Sequence, residues 1–219
     1  MILNGDNMSY INNLEKAKLF KSDELVKTYS GQIISTKLSD NSSLTLELYS
    51  FDKGEEISKQ KAIYDTFFYV VKGEIEISND LIKENEYKTL NKGEDTHLVA
   101  KEPTVLLMYL FKKEGQLKNL NKTDNKSLIE EVSFVDNSVA SKVVYQDDIL
   151  SLTLLALDED QGLNTHSASG DVLVVSLGGE VLIKIGDEEF NLSGDDLIVL
   201  PAGIPHSLMA KKPYKMFIS

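Results

Sequence analysis

The chain contains no cysteine and no arginine among its 219 residues. The first absence excludes disulfides, thiolate metal sites, iron–sulfur clusters and cysteine nucleophiles together. The second removes every guanidinium fork, the group that grips phosphate, carboxylate or guanine at two points. All 23 basic residues are therefore lysine, set against 35 acidic ones for a net charge of -12. Phosphate neutralisation supplies much of the affinity for nucleic acid, so none is expected as a partner. No run approaches the roughly 20 apolar residues of a membrane helix. Residues 1–10 also lack the basic-then-apolar order of a secretory signal. A cytoplasmic location with no membrane partner is expected. The Gly-x-Ser-x-Gly elbow, the P-loop and the Gly-x-Gly-x-x-Gly fingerprint are missing as well.

What is present is an ordinary globular balance, 42% hydrophobic with a mean hydropathy of -0.18. The length suits one large domain or two small ones. Short alternating apolar segments are separated by Gly, Asn, Asp and Ser clusters, which is an all-β pattern. Helical periodicity is confined to short pieces, best at Ile11 to Phe20 and Ser127 to Val132.

The chain also repeats itself. Ser43, Leu44, Thr45, Leu46 recurs as Ser151, Leu152, Thr153, Leu154, and Gly54 recurs as Gly162 at the same offset. Val71 to Ile77 returns as Leu177 to Ile183, which matches Gly73 with Gly179. Ala100 to Pro103 is answered by Ala210 to Pro213. Offsets that drift by a few residues fit insertions in loops. Each half centres on a hairpin: Val181 to Leu192 turning at Gly186 and Asp187, and Ile75 to Leu90 with a longer, more charged turn. The spacing predicts two β-barrels in tandem, residues 1–113 and 127–219, joined by a polar linker at 114–126.

Two of the three histidines carry the functional signal. His166 follows Gly162 and precedes Gly170 and Asp171, while His206 closes the run Gly194, Pro201, Gly203. The order of these residues resembles the two motifs of the cupin superfamily, and the whole chain resembles a bicupin. The resemblance implies an all-β fold of two tandem cupin-type antiparallel barrels, of jelly-roll form, with a few short helices. In the family's first motif His166 takes the first histidine position, whereas Ala168 holds the second and Val172 the glutamate position. The first half departs further. Gln60 stands where the second half has His166, the Pro-x-Gly loop is absent, and Gly93 to Thr96 runs on into His97. The wording around Phe51 to Ser58 and around both histidines resembles a branch of small single-barrel cupins whose members mostly lack an assigned activity.

A lone histidine in a β protein usually makes a structural hydrogen bond. Two at both motif positions point instead to a shared pocket. His166 and His206 are thus the candidate ligand-binding residues, and also the candidate, incomplete set for a divalent Zn, Ni, Mn or Fe ion. Asp171 is expected to face away from Val172. The acid runs Asp158 to Asp160 and Asp187 to Glu189 read as solvated turns. The cluster Tyr64, Phe67, Phe68, Tyr69 reads as barrel filling. Three functions follow from the resemblance. The first is a small-molecule-binding second barrel beside a degenerate first one, either as a monomer mimicking a cupin dimer or as a homodimer. The second is a metal-dependent dioxygenase, isomerase or decarboxylase acting on a small oxygenated substrate. The third is a structural or sensing module with an empty barrel.

Overall fold

The computed structural model describes residues 11–25, 29–113 and 126–219, so the expected linker at 114–126 lies outside the described residues except for Lys126, which is in a strand. Those residues are mostly antiparallel strand, with one helical turn at Ser22–Leu25 and a 3-10 turn at Leu128–Glu131. They form two compact units. The first barrel comprises residues 21–25, 29–113 and 126–131, and the second comprises residues 11–20 with Val132–Ser219.

In the first barrel the strands are β1 (Ile33–Asp40), β2 (Leu44–Phe51), β3 (Glu56–Lys61), β4 (Asp65–Lys72), β5 (Glu74–Ile77), β6 (Asp80–Lys83), β7 (Glu86–Leu90), β8 (Asp95–Ala100), β9 (Thr104–Phe111) and β10 (Lys126–Ser127). They make one sheet in the order β1-β2-β9-β4-β7-β10 and a second in the order β3-β8-β5-β6. Alternation sends Phe51, Phe68, Val70, Leu90 and Leu106 from one sheet against Ile75, Ile77, Ile82, Leu98 and Ala100 from the other.

The second barrel has β11 (Val139–Gln146), β12 (Ser151–Leu157), β13 (Gly162–His166), β14 (Val172–Ile185), β15 (Glu188–Ser193), β16 (Leu197–Leu200) and β17 (His206–Ile218). Here β14 and β17 are long enough to pass through both walls. One end of β14 pairs with β16 and with Met216 to Ile218, the other with β15 and with His206 to Lys212. The partners repeat those of the first barrel, with β14 standing for β4 and β5, and β17 for β8 and β9.

The bend that lets these strands serve two walls sits at a glycine. Gly73 and Gly179 both have left-handed φ, +89° and +88°. A Cβ on Gly73 would lie 2.2 Å from the Pro103 carbonyl oxygen, and one on Gly179 would lie 2.0 Å from that of Pro213. The two repeated pieces, the glycine and the proline, are thus one corner read from its two strands. Only a residue without a side chain admits that approach.

Elsewhere the register corrects the sequence repeat. Asn41 Oδ1 accepts the N–H groups of Ser43 and Leu44, and Asp147 Oδ1 accepts those of Ile149 and Leu150. Ser43 therefore corresponds to Ile149, and the Ser-Leu-Thr-Leu match is slipped by two residues. A two-residue slip keeps every side chain on its face, so alternation cannot reveal it. Gly54 likewise corresponds to Asp160 and not Gly162, since their N–H groups donate to the carbonyls of Ala100 and Ala210. Both adopt left-handed φ, +86° and +58°, which aspartate tolerates.

Two local expectations also change. Residues 11–20 form no helix; Ala17 N–H donates to Val199 and Phe20 pairs with Leu197, so the segment caps the open edge of β16. Satisfying a strand edge outweighs weak helical periodicity. The Ser127 to Val132 helix shrinks to the single 3-10 turn that buries Leu128. The second hairpin turns at Gly186 and Asp187 as expected. The first is shorter than read: β5 and β6 join through Ser78 and Asn79, both left-handed at φ +53° and +73°, after which β7 crosses to β4. It has four cross-strand pairs against six in the second barrel, which accounts for the drifting offset.

Gly179→Ala and Gly73→Ala are each expected to cost about 3–5 kcal/mol, through both φ strain and the carbonyl clash. Gly194→Ala, left-handed but with open space around it, should cost only about 1–2 kcal/mol. Denaturant melts of the three variants check this; equal losses would refute the corner.

Candidate functional site

His166 ends β13 and His206 begins β17, and the two residues are register partners. A bulge between Leu163 and His166 inserts one extra residue and re-aims the strand end. The rings meet edge to face, with centroids 4.5 Å apart and planes at 65°. His206 is 3% exposed, whereas His166 is exposed. The side chain of His206 shares its face of β17 with Leu208 and Ala210, both in the barrel core.

Both imidazoles are held by their own backbone. His166 Nδ1 lies 2.8 Å from the Asn164 carbonyl oxygen, and His206 Nδ1 lies 3.1 Å from that of Ile204. A carbonyl only accepts, so each Nδ1 carries the proton when the ring is neutral and each Nε2 keeps its lone pair. Burial pulls the His206 pKa below its ordinary 6.5, helped by the neighbouring His166, against the opposing pull of the Ile204 carbonyl. The pair at neutral pH thus presents an uncharged, fixed acceptor on His206.

The two motif loops are stitched to each other. Gly203 N–H donates to the Ala168 carbonyl at 2.8 Å, and Ala202 N–H donates to Asp171 Oδ1 at 2.9 Å. Asp171 is 3% exposed, and its other oxygen accepts from Ile11 N–H at 2.9 Å and pairs with Lys16 at 2.7 Å. Its role is to tie the edge segment and the Pro201-to-Pro205 loop to the barrel.

The first barrel keeps this frame, contrary to the expectation of a missing loop. Gly93 N–H donates to Ala62 at 2.7 Å, and Lys92 N–H donates to Asp65 Oδ1 at 2.8 Å, the counterparts of Gly203 and Ala202. Asn91 to Asp95 is thus the Pro201-to-Pro205 loop without its prolines. The register partners at the histidine positions are Gln60 and Thr96, after the same bulge. His97 falls one residue further on, faces outward, and lies 3.4 Å from Glu56.

The barrels differ in what fills these positions. In the first, a cavity of about 280 Å³ is lined by Glu47, Tyr49, Gln60, Phe68, Thr96 and Met108, among others. In the second, the matching interior carries Leu155, Val174 and Leu208, all core residues. A cavity of about 240 Å³ there is lined by Thr153, Ala168, Ser169, Asp171 and Val172 among others, with neither histidine in its lining. Glu47 and Thr96 lie outside the sequence motifs. The signal for Glu47 is an acidic residue at an inward position of β2, hidden by the slipped repeat.

Metal chemistry asks for more donors than the pair supplies. The tautomer suits ligation, since Nε2 is free on both rings and Nδ1 has a second partner. Yet Ala168 and Val172 offer no donor, and Asp171 is committed elsewhere. Among the described residues no group of three His, Cys, Asp or Glu side chains is placed to hold an ion. The residues do not fit a resident three- or four-ligand metal.

Comparisons agree with this architecture. Residues 152–218 match a family model described as the AraC-like ligand binding domain. A cupin 2 conserved barrel domain protein from Leptotrichia buccalis aligns with a TM-score of 0.80 and 23% identity, covering 94% of this chain and 97% of that one. A salicylate 1,2-dioxygenase from Pseudaminobacter salicylatoxidans aligns with a TM-score of 0.57 and 12% identity, covering 80% and 70%. Among curated proteins none matches the sequence significantly. Among the described residues no helix is long and apolar enough to cross a membrane.

Two outcomes test the site. The depressed His206 pKa has no effect on stability above pH 6.5, where the ring is neutral folded and unfolded. As pH falls below 6.5 the unfolded chain takes up the proton first, so the folded state loses stability until its own lower pKa is passed. His206→Gln should therefore flatten part of the fall in denaturant stability between pH 7 and pH 5. Separately, Asp171→Ala strands two N–H donors and a lysine, and is expected to cost about 2–4 kcal/mol. A loss below about 1 kcal/mol in the same melts would contradict the anchoring role.

Proposed function

We propose that this chain, a cupin by fold in both halves, is a small-molecule-binding protein whose second barrel reads its ligand through His166 and His206. The observation that carries the reading is the edge-to-face imidazole pair with both Nδ1 atoms on backbone carbonyls. That arrangement fixes a buried neutral acceptor on His206 and a solvent-facing ring on His166. It suits a ligand whose hydroxyl donates to Nε2, such as a phenol, a polyol or a hydroxy acid. The match of residues 152–218 to a ligand-binding family supports the same class. A net charge of -12 without arginine argues against nucleic acid as the partner.

The metal-dependent enzyme reading would use the same two histidines to hold Zn, Ni, Mn or Fe. It is the weaker one because the side chains at Ala168 and Val172 cannot complete the set. Elemental analysis with melts in chelator and in added divalent ion separates the two. The binding reading expects less than one equivalent of metal and no shift of the melting temperature; one tightly held ion lost in His206→Ala would overturn it.

The ligand itself is sought by thermal shift with phenols, polyols and hydroxy acids. A binder should raise the melting temperature of the wild type, and His206→Ala should weaken it tenfold or more. Gln60→Ala, at the matching place in the first barrel, should leave it unchanged. Binders that ignore His206→Ala would refute the site.

A further inference from the structure

We infer that the first barrel, although it lacks both histidines, holds a ligand site of its own, built for a small apolar molecule that ends in an amine. The cavity of about 280 Å³ sits where the strands of this barrel place the Gln60 and Thr96 pair. At about 30 Å³ per water-sized group it has room for roughly nine such groups. Its apolar lining comes from Ile57, Phe68, Leu98, Met108 and Leu110.

Two polar features show that the space is not merely unfilled core. Thr96 is 6% exposed, lines the cavity, and its hydroxyl has no hydrogen-bond partner. A buried hydroxyl left unpaired costs about 1–3 kcal/mol. Glu47 is the second feature, half-buried and lining the same cavity. Its Oε2 already accepts from the Tyr49 hydroxyl at 2.8 Å; burial first, and then this bond, drives the Tyr49 pKa upward and keeps the phenol protonated. The carboxylate has further lone pairs to offer.

Glu47 is the one carboxylate among the residues that line the cavity. Lys37 stands opposite it in the β1–β2 pair and is paired with Asp40 at 2.8 Å, a carboxylate shared with Lys112. Lys61, at the lining, pairs with Asp95 at 2.6 Å, which also holds Lys59 at 2.9 Å. The carboxylate at the lining matches a donor-rich head, while an anionic head would meet Glu47 at a cost. Nothing comparable stands at the matching positions of the second barrel, where Thr153 replaces Glu47 and Leu155 replaces Tyr49.

Calorimetry and thermal shift on the full chain test this with benzylamine, 2-phenylethylamine and 3-phenylpropylamine, alongside 2-phenylethanol and phenylacetate. At least one amine should bind at one per chain and raise the melting temperature, with the alcohol and the carboxylate at least tenfold weaker. Glu47→Gln should weaken the amine tenfold or more, and the near-isosteric Thr96→Val should weaken it several-fold. Glu188→Gln, which removes an exposed carboxylate of the second barrel, should change nothing. The proposal is overturned if no amine binds, if the alcohol or carboxylate binds as tightly, or if both cavity variants retain wild-type affinity. None of these readouts involves His166 or His206, so the result stands apart from the second barrel's own test.

Discussion

Each barrel depends on one close approach, a glycine Cα packed under a proline carbonyl where two strands turn from one wall to the other. At 2.0 to 2.2 Å from a built Cβ, the Pro213 and Pro103 oxygens leave no room for any side chain at Gly179 or Gly73. This corner lets β14 and β17 run unbroken through both walls of the second barrel. The strand that begins at Val172 also continues into the hairpin. The returning strand starts at His206 and reaches the core again at Met216. The histidine pair is thus a consequence of the corner as much as of the motifs.

Upon that frame the two halves place different chemistry. The bulge before His166 recurs before Gln60, the Gly203 turn recurs at Gly93, and the Asp171 anchor recurs at Asp65. What changes is the side chain presented inward. One barrel shows an imidazole pair at the end of a largely aliphatic core. The other shows an amide and a threonine beside a cavity with a carboxylate in it. The first barrel keeps the same backbone frame without the histidines, which is what a scaffold held by backbone hydrogen bonds and a glycine corner permits.

Much of this was legible in the sequence. Alternation and turn residues gave the all-β fold, Gly73 and Gly179 fell at matching corners, and Gly186 with Asp187 turned the second hairpin. The pairing of His166 with His206 followed from the motif order. Other features were hidden for physical reasons. A repeat slipped by two residues preserves the facing of every side chain, so Ser-Leu-Thr-Leu misled without contradiction. The loop at Asn91 to Asp95 went unseen because its shape rests on Gly93 and on hydrogen bonds that need no proline. Residues 11–20 carry a weak helical period, but only the folded barrel supplies the open β16 edge that captures them. Glu47 drew no notice because an inward acid becomes visible only once the register is known.

The central claim is that one backbone frame sets the geometry in both barrels and that side chains alone decide the chemistry. A crystal structure of the double variant Gln60→His/Thr96→His tests it most directly. The account predicts two imidazoles in edge-to-face contact near the 4.5 Å centroid separation of the native pair, with their Nδ1 atoms on the carbonyls of Ser58 and Glu94. New rings that point apart, or a first barrel that rearranges to hold them, would contradict it.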